Sequence, residues 1–329
     1  MNRVVVFGSA VVDVVMKSKD FKVLKSHEVQ GGVALCEVYG GKMGVEEMEM
    51  STGAAGTNVA VGLARLGCIP ASVCRVGNDL FGKMIVDELE REKVESSQVQ
   101  MDEKKKTGVS VVLVAEGGGR SILTYRGVSK EIEKEKIDWE KLANAEWWHM
   151  AAFAGEAALL EDIVALAAEK HIRVSWNPGK KEIENREEFG RLVRQVEVVI
   201  LNRLEASLVT GEMYEDEEKI WAGMRNAGVK AVITDGDKGA VWIDGERILK
   251  VGGVKVVSVD DTGAGDAFCA GLIAGLVRGE EVETAMKMGI CNGASQVTEL
   301  GAKTGLLRKE GMEKWLGRKI EVEEDLVTV

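Results

Sequence analysis

The sequence predicts an α/β fold: a central, mostly parallel β-sheet flanked by helices on both faces, with a small β-sheet lid. Three observations carry this reading. From Trp147 to Thr234 strand-like and helix-like segments alternate, the rhythm of a parallel sheet covered on both sides. Two patches, near 21–50 and 108–126, break that rhythm with short apolar runs punctuated by glycine pairs, which suit small antiparallel strands. No low-complexity stretch, linker or 20–50-residue repeat divides the 329 residues. We therefore expect one domain over 1–329, its lid formed by about 14–50 and 107–128.

The elements follow in order. Val4 to Phe7 is a β-branched run ending at Gly8 and reads as a buried strand. Gly56 to Leu66 places small and apolar residues at helical spacing, with Asn58 in the first turn. Ala71 to Val76 reads as a strand and Leu80 to Lys93 as an amphipathic helix. Gly108 to Ala115 and Ser121 to Tyr125 form a hairpin around Glu116-Gly117-Gly118-Gly119. Strands then follow at Trp147–Met150, Ile172–Trp176, Val196–Leu201 and Val229–Thr234. Helices separate them at Ala157–Lys170 and Arg186–Gln195, and through Ala227. The tail from Lys319 to Val329 carries no assignment.

Composition narrows the function. The formal net charge is −11, with no basic block, a poor balance for a nucleic-acid or membrane-surface binder. Backbone amides and a metal ion still hold phosphates despite such a global field. No apolar run is long enough to span a bilayer, and the N-terminus lacks a signal-type cleavage pattern. Cys36, Cys68, Cys74, Cys269 and Cys291 form no C-x-x-C and read as reduced thiols of a cytoplasmic protein. His27, His149 and His171 do not pair at ligand spacing, which argues against a zinc site or a Ser-His-Asp triad.

Gly77-Asn78-Asp79-Leu80-Phe81-Gly82-Lys83 imitates a P-loop, but Met84 stands where a hydroxyl must hold Mg²⁺, so we read a glycine-bounded turn into a helix. Gly8 to Asp13 contains a single glycine and is no dinucleotide fingerprint.

The stretch Val259 to Gly271, VDDTGAGDAFCAG, carries more. Gly263-Ala264-Gly265 sits at the mouth of a helix, where unpaired N–H groups and partial positive charge make an anion cradle. A carboxylate at Asp266 repels an anion bound there, yet suits a site where a hydroxyl loses its proton while attacking a phosphorus. Asp266 as an N-terminal cap worth ~1 kcal/mol is an equally good reading of this stretch alone. Ser51 to Asn58 is a second small-residue loop at a helix start, and the Asn58 amide suits a polyhydroxyl ligand. Asp13 could accept sugar hydroxyls, although a strand-end Asp is the plainer reading. Asn202 and Glu205 follow a strand and lie one helical turn apart. They suit phosphates approached through Mg²⁺ and its waters, or equally a capping box. Thr234-Asp235-Gly236-Asp237-Lys238-Gly239 reads as a turn that could meet a nucleotide phosphate.

In combination these pieces resemble the ribokinase-like (PfkB) family of carbohydrate kinases over nearly the full length. Gly53 to Gly77 fits the family's first signature, through Asn58, Ala60, Gly67 and Gly77. VDDTGAGDAFCAG resembles the second, NRLEASLVTG the N-x-x-E segment and TDGDKGA the T-x-G-x-x-G turn. VTELGAKTG is similar to a late loop bordering the base, RSILTYRG to a lid strand pair and VGNDLFG to a V-G-x-D-x-x-G stretch. Asp261 departs from the second signature, where Thr or Pro is usual. Lys180 stands near where many members carry Arg, keeping the charge without the planar fork.

The resemblance implies ATP-dependent, Mg²⁺-assisted phosphorylation of a hydroxyl on a small carbohydrate. It admits a monovalent cation such as K⁺. It implies Asp266 as general base with the Gly263, Ala264 and Gly265 amides as anion hole. Asp13, Gly53, Asn58 and Arg126 would bind the acceptor. Asn202, Glu205, Thr234, Gly236, Gly239 and Gly301 would border the nucleotide, with Glu205 on Mg²⁺ through water. A neutral sugar or polyol is the expected acceptor. A nucleoside, with Phe153 and Tyr125 as its slot, and a phosphosugar, with Lys42 and Arg126, are the alternatives. A non-catalytic sugar- or nucleotide-binding regulator on the same fold is another. Exposed lid strands would suit a homodimer.

Overall fold

The computed structural model describes residues 2–25, 33–116, 119–152, 157–245 and 247–326. Its main sheet has nine strands. Ile69–Val73 lies at one edge, then Arg3–Phe7, Trp147–Met150, Arg173–Trp176, Val198–Asn202, Ala231–Thr234, Gly239–Asp244, Arg247–Gly252 and, at the other edge, Val322–Leu326. Pairing is parallel from Ile69–Val73 through Ala231–Thr234 and antiparallel beyond.

The run at Val4–Phe7 shows why the sheet is buried on both sides. Val4 and Val6 enter one apolar layer, with helices Ala55–Arg65, Ala264–Val277 and Val282–Gln296. Val5 and Phe7 enter the opposite layer, with helix Ala157–Glu169. Side chains alternate along a strand, so a strand covered on both faces reads as a continuous apolar run. His149, in the neighbouring strand, is fully buried. Trp147 Nε1 donates to Ser175 Oγ at 2.7 Å, which leaves the hydroxyl proton for His149 Nδ1 at 2.9 Å. Desolvation drives this imidazole down to about 3, so it is neutral and structural.

A second sheet has four strands in the order Arg120–Tyr125, Gly108–Ala115, Val11–Ser18, Glu47–Gly53. Val11–Ser18 pairs parallel with Gly108–Ala115 and antiparallel with Glu47–Gly53, so this sheet is mixed rather than purely antiparallel. Lys22–Lys25 and Val33–Cys36 form a separate antiparallel pair. The tip at Gly117-Gly118, like His27 and Phe153, lies outside the described residues.

Two expectations need correction. Ala71–Val76 is not one strand: the main-sheet strand ends at Val73, and Arg75–Gly77 pairs with Gln100–Asp102. The chain leaves the sheet so that buried Arg75 can reach the Asp102 and Glu133 carboxylates and the Glu131 carbonyl. The tail, given no role above, supplies edge strand Val322–Leu326. It is tied across the strands by Arg247–Glu324 at 2.5 Å and Lys250–Asp325 at 3.2 Å. Among the described residues no helix is long and apolar enough to cross a membrane. All five cysteines are free thiols.

Candidate active site

Open α/β sheets bind ligands beyond the carboxyl ends of their strands, where the strand order reverses. Here the reversal falls at Arg3–Phe7, whose neighbours are Ile69–Val73 on one side and Trp147–Met150 on the other. A cleft of about 620 Å³ opens at that end. Its floor comes from Ser9, Ala152 and Gly179, just past three of the parallel strands. The small sheet lines it with Asp13, Ser110 and Thr124, and Arg126 joins them just past the last strand.

Asp13 lies opposite Ser51 and Ser110 in the small-sheet register. Burial pushes its carboxyl up, partly offset by a hydrogen bond with Ser110 and the charge of Lys303. Gly53, expected to touch the acceptor, is buried beneath Asp13, and any side chain there would collide with Asp13 Oδ2. Its contribution is to leave room for that carboxylate. The next residue, Ala54, holds φ 71° and ψ 155° at the start of helix Ala55–Arg65. That conformation costs a non-glycine residue on the order of 1–3 kcal/mol, and such strain gathers where a wall must approach a ligand.

Asp266 and Asn58, 208 residues apart, meet directly: Asn58 Nδ2 donates to Asp266 Oδ2 at 2.7 Å. Helix packing explains the meeting. A Cβ added to Gly62 would stand 2.6 Å from the Ala270 Cβ, so helices Ala55–Arg65 and Ala264–Val277 touch closely there. Asn58 and Asp266 each lie four residues before that contact, one turn back on the same faces. The Asn58 side chain, expected to face the acceptor, is thus first a holder of Asp266. Its buried Oδ1 has no partner among the described residues. Burial raises the Asp266 carboxyl above the ordinary range, while the Asn58 bond and the Lys303 charge restrain the rise.

Gly263 precedes this helix at φ 78°, a conformation that favours glycine, and a Cβ there would press to 2.5 Å from the Ala302 carbonyl oxygen. Among the described residues no acceptor takes the Gly263, Gly265 or Asp266 amides. The Ala264 amide makes a long 3.3 Å bond to the Asp261 carbonyl and is the one member of the expected cradle already engaged. Gly265 is exposed, with open space where a side chain would stand.

Asp260 fixes the loop before the cradle. It accepts from Thr262 N at 3.0 Å, Thr262 Oγ1 at 2.6 Å and Gly301 N at 2.9 Å, and pairs with Arg120 of the small sheet at 3.2 Å. Burial raises its carboxyl, but these bonds and the Arg120 charge prevail and hold it below the usual range. Gly301, at φ 88°, is therefore tied to the cradle loop through its amide. Asp261, the departure from the expected signature, is exposed and accepts from Ser258 Oγ at 2.6 Å.

Asn202 and Thr234 stand side by side at the ends of paired parallel strands. The capping box is fully formed: the Asn202 side chain accepts from Glu205 N at 2.9 Å, and Glu205 Oε2 accepts from Asn202 N at 2.9 Å. Burial raises the Glu205 carboxyl. Burial raises the Cys269 thiol, and the Asp266 and Glu205 charges add to the rise. Buried Arg203 bonds Asp235 at 2.8 Å and so anchors the turn carrying Gly236. Gly239 closes that turn with backbone bonds to Gly236 and Asp235. Among the described residues no group of three or more His, Cys, Asp or Glu side chains is arranged to hold a metal. The P-loop look-alike is a helix start: Asp79 accepts from Gly82 N and Thr107, while Lys83 pairs with Asp87 at 3.1 Å on the surface.

Sequence reasoning missed Lys303. It is 6% exposed, and its Nζ donates to the Thr52 carbonyl at 2.7 Å and to Glu88 Oε2 at 2.9 Å. Desolvation lowers its ammonium, while Glu88, Asp13 and Asp266 push it back up. One buried cation thus bears on both Asp13, which lines the cleft, and Asp266. The available signal was a lysine two residues beyond Gly301, in a stretch otherwise turning apolar.

Comparison with known proteins agrees with this fold. The model of the pfkB family of carbohydrate kinases matches residues 1–309. An uncharacterized sugar kinase of Archaeoglobus fulgidus is 30% identical over 257 residues, covering 75% of this chain and 99% of that protein. The fructokinase of Escherichia coli is 30% identical over 277 residues, covering 79% and 90%. The solved structure of Arabidopsis thaliana ribokinase, complexed with ribose and ATP, superposes with a TM-score of 0.80 at 21% identity, over 97% of this chain and 99% of that one. The chain accordingly belongs to the pfkB family of carbohydrate kinases, phosphotransferases that act on sugar hydroxyl groups.

Proposed function

We propose that the protein transfers the γ-phosphoryl group of ATP to a hydroxyl of a small carbohydrate, with Asp266 as general base. The observation that carries the proposal is the Asp266 carboxylate, held by Asn58 in the first turn of a helix whose Gly265 and Asp266 amides take no acceptor among the described residues. The acceptor oxygen attacks the γ-phosphorus as the bond to the ADP oxygen breaks, and the hydroxyl proton passes to an Asp266 oxygen. The Gly263, Gly265 and Asp266 amides stabilise charge on the transferred group, joined by Ala264 if it releases Asp261. Asp13 accepts from acceptor hydroxyls. Asn202, Thr234, Gly236 and Gly301 border the nucleotide.

Glu205 fits a role toward Mg²⁺ that accompanies ATP. Its carboxylate accepts from the Asn202 amide, and Mg²⁺ commonly keeps its waters and only one or two carboxylates, so an approach through water suits it. The ion would supply neutralisation of phosphate charge. The small sheet acts as a lid, and the Arg120–Asp260 pair links it to the cradle loop, so closure over the acceptor excludes water.

The cleft favours a sugar over a nucleoside. Its described lining has no aromatic side chain, and Tyr125 of the expected slot is 56% exposed. ADP release from Mg·ATP should rise with at least one member of a panel of pentoses, hexoses, polyols, sugar acids, sugar phosphates and nucleosides. No rise across that panel would instead favour a non-catalytic binding protein on this fold.

A further inference from the structure

We infer that the acceptor carries a fixed anionic group, a phosphate or a carboxylate, held at one end of the cleft by Arg126, Lys130 and Lys181. This rests on the kinase reading above and revises the expectation of a neutral sugar.

The chain as a whole is acidic, at −11, yet this cleft gathers Arg126, Lys130, Lys180 and Lys181 in its wall. Lys180 is answered by Glu184 at 3.6 Å. Among the described residues no ion pair engages Arg126, Lys130 or Lys181. Lys130 shows what their convergence costs. Partial burial and then the like charges of Arg126 and Lys181 lower its ammonium, and Glu182 only partly opposes them. Crowded cations of this kind are stabilised by an anion among them, and a guanidinium adds a planar fork that matches carboxylate or phosphate oxygens.

The basic group comes from other segments than Asp13: Asp13 stands on strand Val11–Ser18, whereas Arg126 and Lys130 follow strand Arg120–Tyr125 and Lys181 follows strand Arg173–Trp176. The cleft thus offers Asp13 to accept from hydroxyls, and cations to seat an anion that outnumber the Glu182 and Glu184 carboxylates beside them. Its volume of about 620 Å³ suits one small ligand reaching both. In a molecule whose net field repels anions, a local basic wall also draws such a substrate in. Lys42, the other cation considered for this task, is exposed and does not line the cleft.

Steady-state turnover with Mg·ATP on matched acceptors tests this: ribose against ribose 1-phosphate, fructose against fructose 6-phosphate, and glucose against gluconate. The anionic member of at least one pair should win in kcat/KM, and the winning pair tells phosphate from carboxylate. Arg126→Gln and Lys130→Met should each raise KM for that acceptor by about 10- to 100-fold with kcat nearly kept, and should harm neutral sugars much less. A neutral winner in every pair, or equal losses for both classes, would overturn the inference while leaving the kinase reading intact. If no acceptor turns over here or across the wider panel above, the kinase reading fails, and calorimetry with the same compounds without ATP decides. Anion binding lost in both variants upholds the basic subsite, and no preference for anions refutes it.

Discussion

An Asp266→Asn enzyme should remain folded, bind ATP as the parent does, and lose about 10²- to 10⁴-fold in kcat, the range set by losing a positioned general base. Folding should survive because the replacement has the same shape and keeps an oxygen for the 2.7 Å bond from Asn58 Nδ2. Its new amide group can also donate to the buried, unpartnered Asn58 Oδ1. ATP binding should survive because the cradle uses main-chain nitrogens that the substitution leaves in place. What disappears is the proton acceptor. Steady-state turnover beside a thermal melt and an ATP titration separates these outcomes, and turnover within tenfold of the parent would remove Asp266 from the mechanism.

The second large effect is expected at Lys303, in two readouts that come apart. Lys303→Met leaves Glu88, its side chain only 17% exposed, without its buried cation, with only the Thr52 hydroxyl and the surface Arg91 beside it. Breaking such a pair should cost about 3 kcal/mol, read as a lowered denaturation midpoint. Adding Glu88→Leu should restore most of that stability, since replacing both partners by apolar groups is often neutral. Activity should behave differently. Burial already raises the Asp266 carboxyl, so the acid limb of kcat/KM should lie above the ordinary carboxylate range. The Lys303 ammonium favours the ionised form of Asp266, so its removal raises that carboxyl further and moves the limb to higher pH. The double substitution should keep this displaced limb even as it regains stability. A limb unmoved in both variants would reduce Lys303 to a structural anchor.

Much of the molecule was legible in the sequence because its signals are local. Alternating β-branched and amphipathic runs expose a buried parallel sheet, and Gly263-Ala264-Gly265-Asp266 announces a helix mouth with a carboxylate. Other features depend on packing between distant segments. The Asn58–Asp266 bond exists because two helices press together at Gly62 and Ala270, a contact no window of sequence contains. Lys303 resembles a surface lysine until the chain brings Thr52 and Glu88 around it. The basic wall was only half visible: Arg126 and Lys180 were noticed separately, while Lys130 and Lys181 joined them only when the small sheet folded across the strand ends. The edge strand Val322–Leu326 escaped notice because its acidic residues mask the period, and only pairing with Arg247–Gly252 organises them.

The central claim is that Asp266 takes the proton of the attacking hydroxyl. A crystal structure with a non-hydrolysable ATP analogue, Mg²⁺ and a turned-over acceptor tests it most directly. We expect one acceptor hydroxyl within hydrogen-bonding distance of an Asp266 oxygen, in line with the γ-phosphorus, and the γ-phosphate oxygens on the Gly263 and Gly265 amides. A reactive hydroxyl directed to Asp13 alone, with Asp266 still closed onto Asn58 and distant from the γ-phosphate, would contradict it.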